Sequence, residues 1–198
     1  MTTSLRERRK QLLREEILEA ARALLSEKGY VAMSMDELAA QVGISKPTLY
    51  SHFTTKDDIV VETVVREMER FIALIESDAS GQSPLQRLML VMRKFIKLHA
   101  EKDRMEPQSW TPELFQLLCS REEALSCMRR IDAALIALVQ AGVTEGQIDS
   151  QLDPPIIASA FFALASSLRH AQFTRATEPH PAAGDMLMTI FERGIRPN

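Results

Sequence analysis

A short run of the sequence brings together a cation, hydroxyls, aromatic rings and a small apolar group: Lys46, Pro47, Thr48, Tyr50, Ser51 and His52. On the other side of the same run, Leu49 and Phe53 stand four residues apart and predict a narrow apolar stripe. The pattern predicts a short helix with an exposed polar face. Such side chains can hydrogen-bond to base edges and to phosphates, as the recognition helix of a DNA-binding protein does. An ordinary solvated helix, or a helical hairpin in a core, is the competing interpretation.

Two capping signals and a glycine are placed to position that helix. Ser34 followed by Glu37 predicts a capping box that starts a preceding helix, with each side chain bonding the other residue's N–H. Gly43 can end this helix, since only glycine adopts a positive φ without steric cost. Ser45 predicts the next N-cap, and Pro47 fits the first turn because a backbone N–H is not needed there. Together these signals predict a helix-turn-helix.

Charge is unevenly distributed along the 198 residues. The formal net charge is −3, which taken alone does not favour nucleic acid as a partner. Near the N-terminus, however, one acidic residue accompanies five basic ones: Arg6, Arg8, Arg9, Lys10 and Arg14. Between residues 38 and 55 the only formal charge is Lys46. We therefore expect a basic arm that contacts phosphate, and acidic side chains held away from the recognition surface.

Residues 17–64 resemble the DNA-binding domain of the TetR family of bacterial transcriptional regulators. The matching segments follow the family's order and spacing over about a quarter of the chain: Ile17-Leu18-Glu19-Ala20-Ala21, Glu27-Lys28-Gly29-Tyr30, Leu38-Ala39, Val42-Gly43-Ile44-Ser45-Lys46, Thr48-Leu49-Tyr50, His52-Phe53 and Lys56-Asp57-Asp58. The resemblance implies an all-α fold, with a three-helix DNA-binding domain over residues 1–55. It implies a larger helical bundle over 56–198 that binds a ligand and forms a homodimer.

The resemblance also implies which residues contact DNA. Lys46 would contact phosphate or a guanine edge, and Pro47 and Thr48 would approach bases. Tyr50 and His52 would hold backbone phosphates. The remaining expected contacts lie at helix N-termini or in the basic arm: Ser34, Ser45, Lys56, Arg8 and Arg9.

Apolar periodicity and capping signals predict the other helices. The expected spans are about 8–28, 56–77, 84–100, a short helix from Pro112, 120–141, 154–173, and a last helix through residues 186–195. Residues 1–5 are expected to be disordered and 142–152 to form a polar loop. Ser120 with Glu123 predicts another capping box.

Aromatic and methionine side chains of the C-terminal region could line an effector pocket. The candidates, with two polar groups among them, are Met89, Met92, Phe95, His99, Met105, Trp110, Phe115, Phe162 and Arg169. Such residues adapt to apolar or amphipathic ligands, although plain core is the competing interpretation for each of them.

The last two predicted helices could form the dimer interface. Residues 156–168 are apolar almost all round, so this helix needs cover on two sides. Its expected interface residues, with those of the last helix, are Ile157, Phe161, Leu164, Leu168, Leu187, Ile190 and Phe191. A fully internal helix is the competing interpretation.

Other functional classes find less support in the sequence. It contains no Gly-rich phosphate loop and no G-x-S-x-G, so an enzyme is not expected, nor is a cofactor. A helical adaptor with a vestigial helix-turn-helix stays open. No apolar run follows the basic N-terminus, and the stretch 156–168 is too short to span a bilayer, so a cytoplasmic protein is expected.

Histidines and cysteines invite a metal or redox interpretation. His99, Cys119, Cys127 and His170 have separations that match no short metal-ligand signature, so we expect no metal site. A thiol sensor at Cys119 or Cys127 is left open.

Overall fold

The computed structural model of the chain describes residues 4–77, 81–100, 111–170 and 182–197, without the side chains of 98–100 and 168–170. Within these residues the regular structure is entirely helical, as predicted. The helices are α1 (Leu5–Ala32), α2 (Met35–Val42), α3 (Lys46–His52), α4 (Lys56–Glu76), α5 (Pro84–Ala100), α6 (Pro112–Cys119), α7 (Glu122–Thr144), α8 (Pro154–His170) and α9 (Ala183–Ile195). None of the helices in the described part is long and apolar enough to cross a bilayer.

The chain divides into two compact units. The first comprises Met1–Glu67 and Lys102–Leu125, and the second comprises Met68–Glu101 and Ser126–Asn198. The division therefore falls inside α4 and α7. It differs from the predicted functional boundary after residue 55, because the first unit also takes in the start of α4 and the region of α6.

The first unit has a continuous apolar core. In it α1 packs on α2 and α6, and α2 packs on α3. Its largest fully buried side chains include Ile17, Leu25, Leu38, Leu49 and Ile59. These residues come from four helices, so the burial of apolar side chains holds the short helices α2 and α3 in place.

α1 begins earlier than expected. Ser4 forms a capping box with Glu7: the Ser4 N–H donates to Glu7 Oε2 at 2.8 Å, and the Glu7 N–H donates to Ser4 Oγ at 3.2 Å. The prediction that disorder reaches residue 5 was therefore wrong, since helix runs from Leu5. Gly29 ends the long part of α1 as predicted, with φ 75° and ψ 172°, and one further turn follows it.

The second unit contains α5, α8 and α9, which pack on one another. Phenyl rings from these three helices form a cluster with Phe71 of α4. The cluster consists of Phe71, Phe95, Phe161, Phe162 and Phe191. Neighbouring ring centroids are 5.1 to 6.4 Å apart with tilted or edge-to-face planes, which is the favoured aromatic geometry.

Two predictions about α7 were wrong. Ser120 does not open this helix with a capping box, because it closes α6: its N–H donates to Gln116 O at 3.1 Å and its hydroxyl to Leu117 O at 2.7 Å. At the other end, α7 continues to Thr144 and takes up the start of the predicted loop.

Candidate nucleic-acid interface

The helix α3 has a buried side and an exposed side. Leu49 is 0% exposed and anchors the helix in the core, and Phe53 at the C-cap is buried as well. On the outward side Lys46, Pro47 and Tyr50 are exposed, with Tyr50 at 51%. The helix therefore presents a polar face of the predicted composition to its surroundings.

A left-handed glycine sets the turn before α3. Gly43 has φ 75° and ψ 30°, and its N–H donates to Ala40 O at 3.1 Å. The next N–H, from Ile44, reaches back to Ala39 O at 3.0 Å. These two bonds satisfy the last carbonyls of α2 and close the predicted turn in the manner of a Schellman motif.

The N-terminus of α3 is held by hydroxyl groups. Ser45 Oγ accepts the Thr48 N–H at 3.3 Å, as predicted, and lies 2.8 Å from Thr48 Oγ1. Only one of the two hydroxyl hydrogens is used in that mutual bond. The pair therefore keeps one donor for an outside acceptor such as a base edge or a phosphate.

Lys46 is paired with an acidic residue, contrary to the expectation that such residues stay away from this surface. Its ammonium lies against Asp36 of α2, and both side chains are more than half exposed, at 55% and 65%. An exposed pair of this kind stabilises a protein by only about 0–1 kcal/mol. A DNA phosphate can therefore take the place of Asp36 at small cost.

His52 is half-buried at the end of α3. Its Nδ1 is enclosed and has no hydrogen-bond partner among the described residues. Burial lowers the pKa of the imidazole, and the charges of Lys10 and Arg14 lower this pKa further. At neutral pH the ring is therefore uncharged, so it would meet a phosphate as a hydrogen-bond donor and not as a cation.

Arg14 was expected in the basic arm that contacts phosphate, but it fixes the end of α3. Its Nη1 donates to the carbonyl of His52 at 2.8 Å, and its guanidinium lies 4.0 Å from the centre of the Phe53 ring. The same group forms an ion pair with Glu62 of α4. Arg14 thus joins three helices behind the recognition surface.

Lys56 and Ser34 differ in what they offer to phosphate. Lys56 Nζ donates to the carbonyls of Tyr30 at 3.0 Å and Met33 at 3.2 Å, so its ammonium already holds the turn before α2. Ser34 caps α2 as predicted, but the carboxylate of Glu37 pairs with Lys28 and does not bond back to it. Only half of the predicted capping box forms, which leaves the Ser34 N–H without an acceptor among the described residues.

Arg8 and Arg9, the two arm residues expected to contact DNA, are exposed on the first turns of α1. They lie on a helix, as predicted. Their direction is therefore determined by the helical register.

The candidate pocket residues are spread over both units. Met92 is fully buried, and Met89, Phe95 and Phe162 are partly buried in the second unit. Phe115 belongs to the first unit, where it is 57% exposed. Met105 and Trp110 lie outside the described residues, as do the side chains of His99 and Arg169. The effector pocket stays a prediction.

The candidate interface residues are partly used inside the chain. Ile157, Phe161 and Phe191 are buried within the second unit, and Leu164 and Leu187 are half-buried. Ile190 is 59% exposed, whereas the side chain of Leu168 lies outside the described residues. Two exposed residues beside them were not predicted, Ile156 at 65% and Met186 at 52%.

The two cysteines lie in different surroundings. Cys119 is exposed, and Cys127 is buried with its thiol 3.4 Å from Glu69 Oε1. Burial, together with the Glu69 carboxylate, raises the pKa of the Cys127 thiol, which keeps it protonated and unreactive. Among the described residues no three His, Cys, Asp or Glu side chains are grouped to hold a metal.

Comparison with known proteins identifies relatives of this chain. Residues 17–63 match the family model described as bacterial regulatory proteins, tetR family. The fatty acid metabolism regulator protein of Bacillus subtilis is 24% identical over 74% of this chain and 76% of its own length. The HTH-type transcriptional repressor KstR of Rhodococcus jostii is 34% identical, over 42% of this chain and 39% of its own length.

The fold is shared with a solved regulator. The crystal structure of FadR from Bacillus subtilis in complex with stearoyl-CoA superposes with a TM-score of 0.72 at 20% identity. The match covers 92% of this chain and 99% of that one.

Proposed function

Because this chain belongs to the TetR family of bacterial regulatory proteins, we propose that it is a dimeric transcriptional repressor that binds a palindromic operator and releases it when a small effector binds. The observation that carries the proposal is the outward face of α3. Lys46, Pro47 and Tyr50 are exposed there, on a helix that Leu49 anchors and Gly43 orients. A rigidly held helix with such a face suits the major groove.

Phosphate contacts would surround that helix. The Ser34 N–H has no acceptor among the described residues, and the Ser45–Thr48 pair keeps one donor. Tyr50 and neutral His52 would donate to the backbone on the other side. These groups position the protein on the duplex, whereas Lys46, Pro47 and Thr48 would read base edges.

A dimer would follow from the exposed apolar side chains of α8 and α9. Ile156, Met186 and Ile190 are each more than half exposed. Covering them with a second copy removes apolar surface from water, and two-fold symmetry would present two recognition helices to the DNA. Half-sites are then expected about 34 Å apart, one helical turn, or a multiple of it.

The effector is proposed to be apolar or amphipathic. The described interior of the second unit contains phenyl rings and methionines among its aliphatic side chains, including Met68, Met92, Phe95 and Phe162. Methionine-rich and aromatic interiors adapt to ligands of different shape. A regulator of the same fold is known with stearoyl-CoA, which supports an acyl chain as the first class of effector to try. To release DNA, the effector must bind the released state more tightly than the DNA-bound one.

Selection of bound DNA from a random pool tests the proposal directly. We expect an inverted repeat to be enriched, and its complex with the protein to weaken steeply with salt. An acyl-CoA or a fatty acid added to the complex should then release the DNA. Failure to enrich any sequence would contradict the regulator and favour the helical adaptor. An enriched site without symmetry would contradict the dimeric mode of binding.

A further inference from the structure

Three basic residues form a line along one face of α1, which we call the cationic ridge: Arg6, Lys10 and Arg14. α1 starts at Leu5 through the Ser4 capping box, so all three share one helical register. Members four residues apart are offset by only about 40° around the helix axis.

The cationic ridge continues the buried face of α1. Ile17 and Ala21 are 0% exposed, and each lies within roughly 20° of Lys10 around the axis. Residues 4–12, by contrast, are all exposed. The face that packs in the core thus runs on past the core as a charged surface.

The contacts of Arg14 show which helix lies beside this face of α1. Arg14 donates to the carbonyl of His52 at 2.8 Å, so the ridge runs beside the C-terminal end of α3. Lys10 is one turn nearer the N-terminus and, after burial, is the largest influence that lowers the pKa of the His52 imidazole. The shared register with Arg14 places Lys10 on the same side of α1, toward the end of α3.

Two cations of the ridge have no acidic partner among the described residues. Arg14 is committed to Glu62, but neither Arg6 nor Lys10 takes part in an ion pair there. Arg8 and Arg9 are exposed as well, but Arg8 lies about 160° around the axis from Lys10, and Arg9 lies about 100° from Lys10 and about 60° from Arg6. The phase of the helix therefore turns Arg8 to the opposite side of α1 and leaves Arg9 at the edge of the cationic ridge.

We propose that Arg6 and Lys10 hold DNA backbone phosphates beside the half-site read by α3, and that they, and not Arg8 and Arg9, are the contacts that α1 makes. The inference rests on the proposed DNA-binding function. A phosphate near Lys10 could also accept from the ring of His52, which ties the end of α3 to the same strand. Opposite charge and an open, unpaired surface select the DNA backbone as the partner.

Matched double variants test this inference on the full-length protein and its selected operator. Arg6→Ala/Lys10→Ala and Arg8→Ala/Arg9→Ala each remove two positive charges from the same turns of α1. Arg93→Ala/Lys94→Ala removes two from exposed positions on α5 and serves as the charge control. Operator affinity is measured for each between 50 and about 300 mM salt, with circular dichroism as the check on folding.

Each lost phosphate contact should reduce the slope of log K against log salt concentration by about 0.9. Because that contribution vanishes at 1 M salt, its loss should weaken operator binding about fivefold at 0.15 M salt. Loss of Arg6 and Lys10 should thus weaken binding about 30-fold per half-site. We expect at most about a threefold effect from the Arg8 and Arg9 pair, because salt screens exposed charges that make no direct contact with phosphate. The α5 control should match wild type, and Lys10→Arg, which keeps the charge, should retain the wild-type salt slope.

The outcomes separate the two proposals. Equal losses from the two α1 pairs, or a larger loss from Arg8 and Arg9, would overturn the assignment of the ridge while leaving the regulator intact. If the wild-type protein binds no DNA, the function itself fails and the ridge fails with it. If Arg6→Ala/Lys10→Ala proves unfolded, Lys10→Gln alone is compared with wild type. A salt slope equal to that of wild type would then refute the contact between Lys10 and phosphate.

Discussion

The guanidinium of Arg14 donates from Nε to the Oε1 of Glu62 at 2.9 Å, and in the same position it donates to the carbonyl of His52. One side chain of α1 thereby holds both α4 and the end of α3. The recognition helix has seven residues, too few for an isolated helix to be stable. Its orientation therefore depends on contacts of this kind.

Arg14→Ala should destabilise the first unit by about 2 kcal/mol, because a charge-assisted bond to a half-buried carbonyl is lost. Urea denaturation measures this. Arg66→Ala is the matched control, since Arg66 is 3.9 Å from Glu15, and it should have little effect. Equal destabilisation by the two variants would show that Arg14 has no special role.

Tyr50→Ala should weaken operator binding strongly while the far-ultraviolet circular dichroism stays as in wild type. The ring is half exposed and packs little in the core, so its removal costs contact with DNA and little stability. Phe115→Ala removes a ring of similar exposure from α6 and should bind the operator normally. Unchanged affinity in Tyr50→Ala would remove this residue from the interface.

Gly43→Ala should lower the free energy of unfolding by about 1–2 kcal/mol, since an L residue is strained at φ 75°. No atom lies within 4 Å of an added Cβ, so the cost would be conformational and not a clash. Gly194→Ala, also free of close atoms but inside α9, should stay within about 1 kcal/mol of wild type. Thermal unfolding of the two variants compares them. Equal stability would mean that the turn relaxes around alanine.

Acidification should destabilise the protein through His52. The folded-state pKa of this ring lies below its ordinary value near 6.5, so the unfolded chain binds more protons between the two pKa values. Stability at pH 7.5 is then lost progressively as the pH falls through that window. His52→Gln cannot take up this proton, so its urea midpoint should fall less between pH 7.5 and pH 5.5. Identical pH profiles for the two proteins would show that the ring titrates normally.

Ile190→Asp should convert the dimer to a monomer, because a charge would be buried without a partner at the proposed interface. Sedimentation at micromolar concentration measures this directly. Leu12→Asp, at an equally exposed position on α1, should leave the dimer intact. A wild-type protein that sediments as a monomer would refute the dimer itself.

Local sequence signals were sufficient to predict the structure of the DNA-binding region. Ser45, Gly43 and Pro47 act through bonds and backbone angles within a few residues, so the two short helices and their turn could be predicted. The resemblance of residues 17–64 to one family rests on the same local pattern. The all-helical fold followed from periodicity over longer segments.

Only the tertiary structure decided which charged groups meet the recognition helix. The pairing of Lys46 with Asp36, the commitment of Lys56 to two backbone carbonyls and the joining of three helices by Arg14 all depend on how separate helices pack. Which of Lys10, Arg8 and Arg9 lies on the side of α3 depends on which face of α1 the core buries. Sequence spacing sets the angle between such residues, but the burial of Ile17 and Ala21 decides which of them face α3.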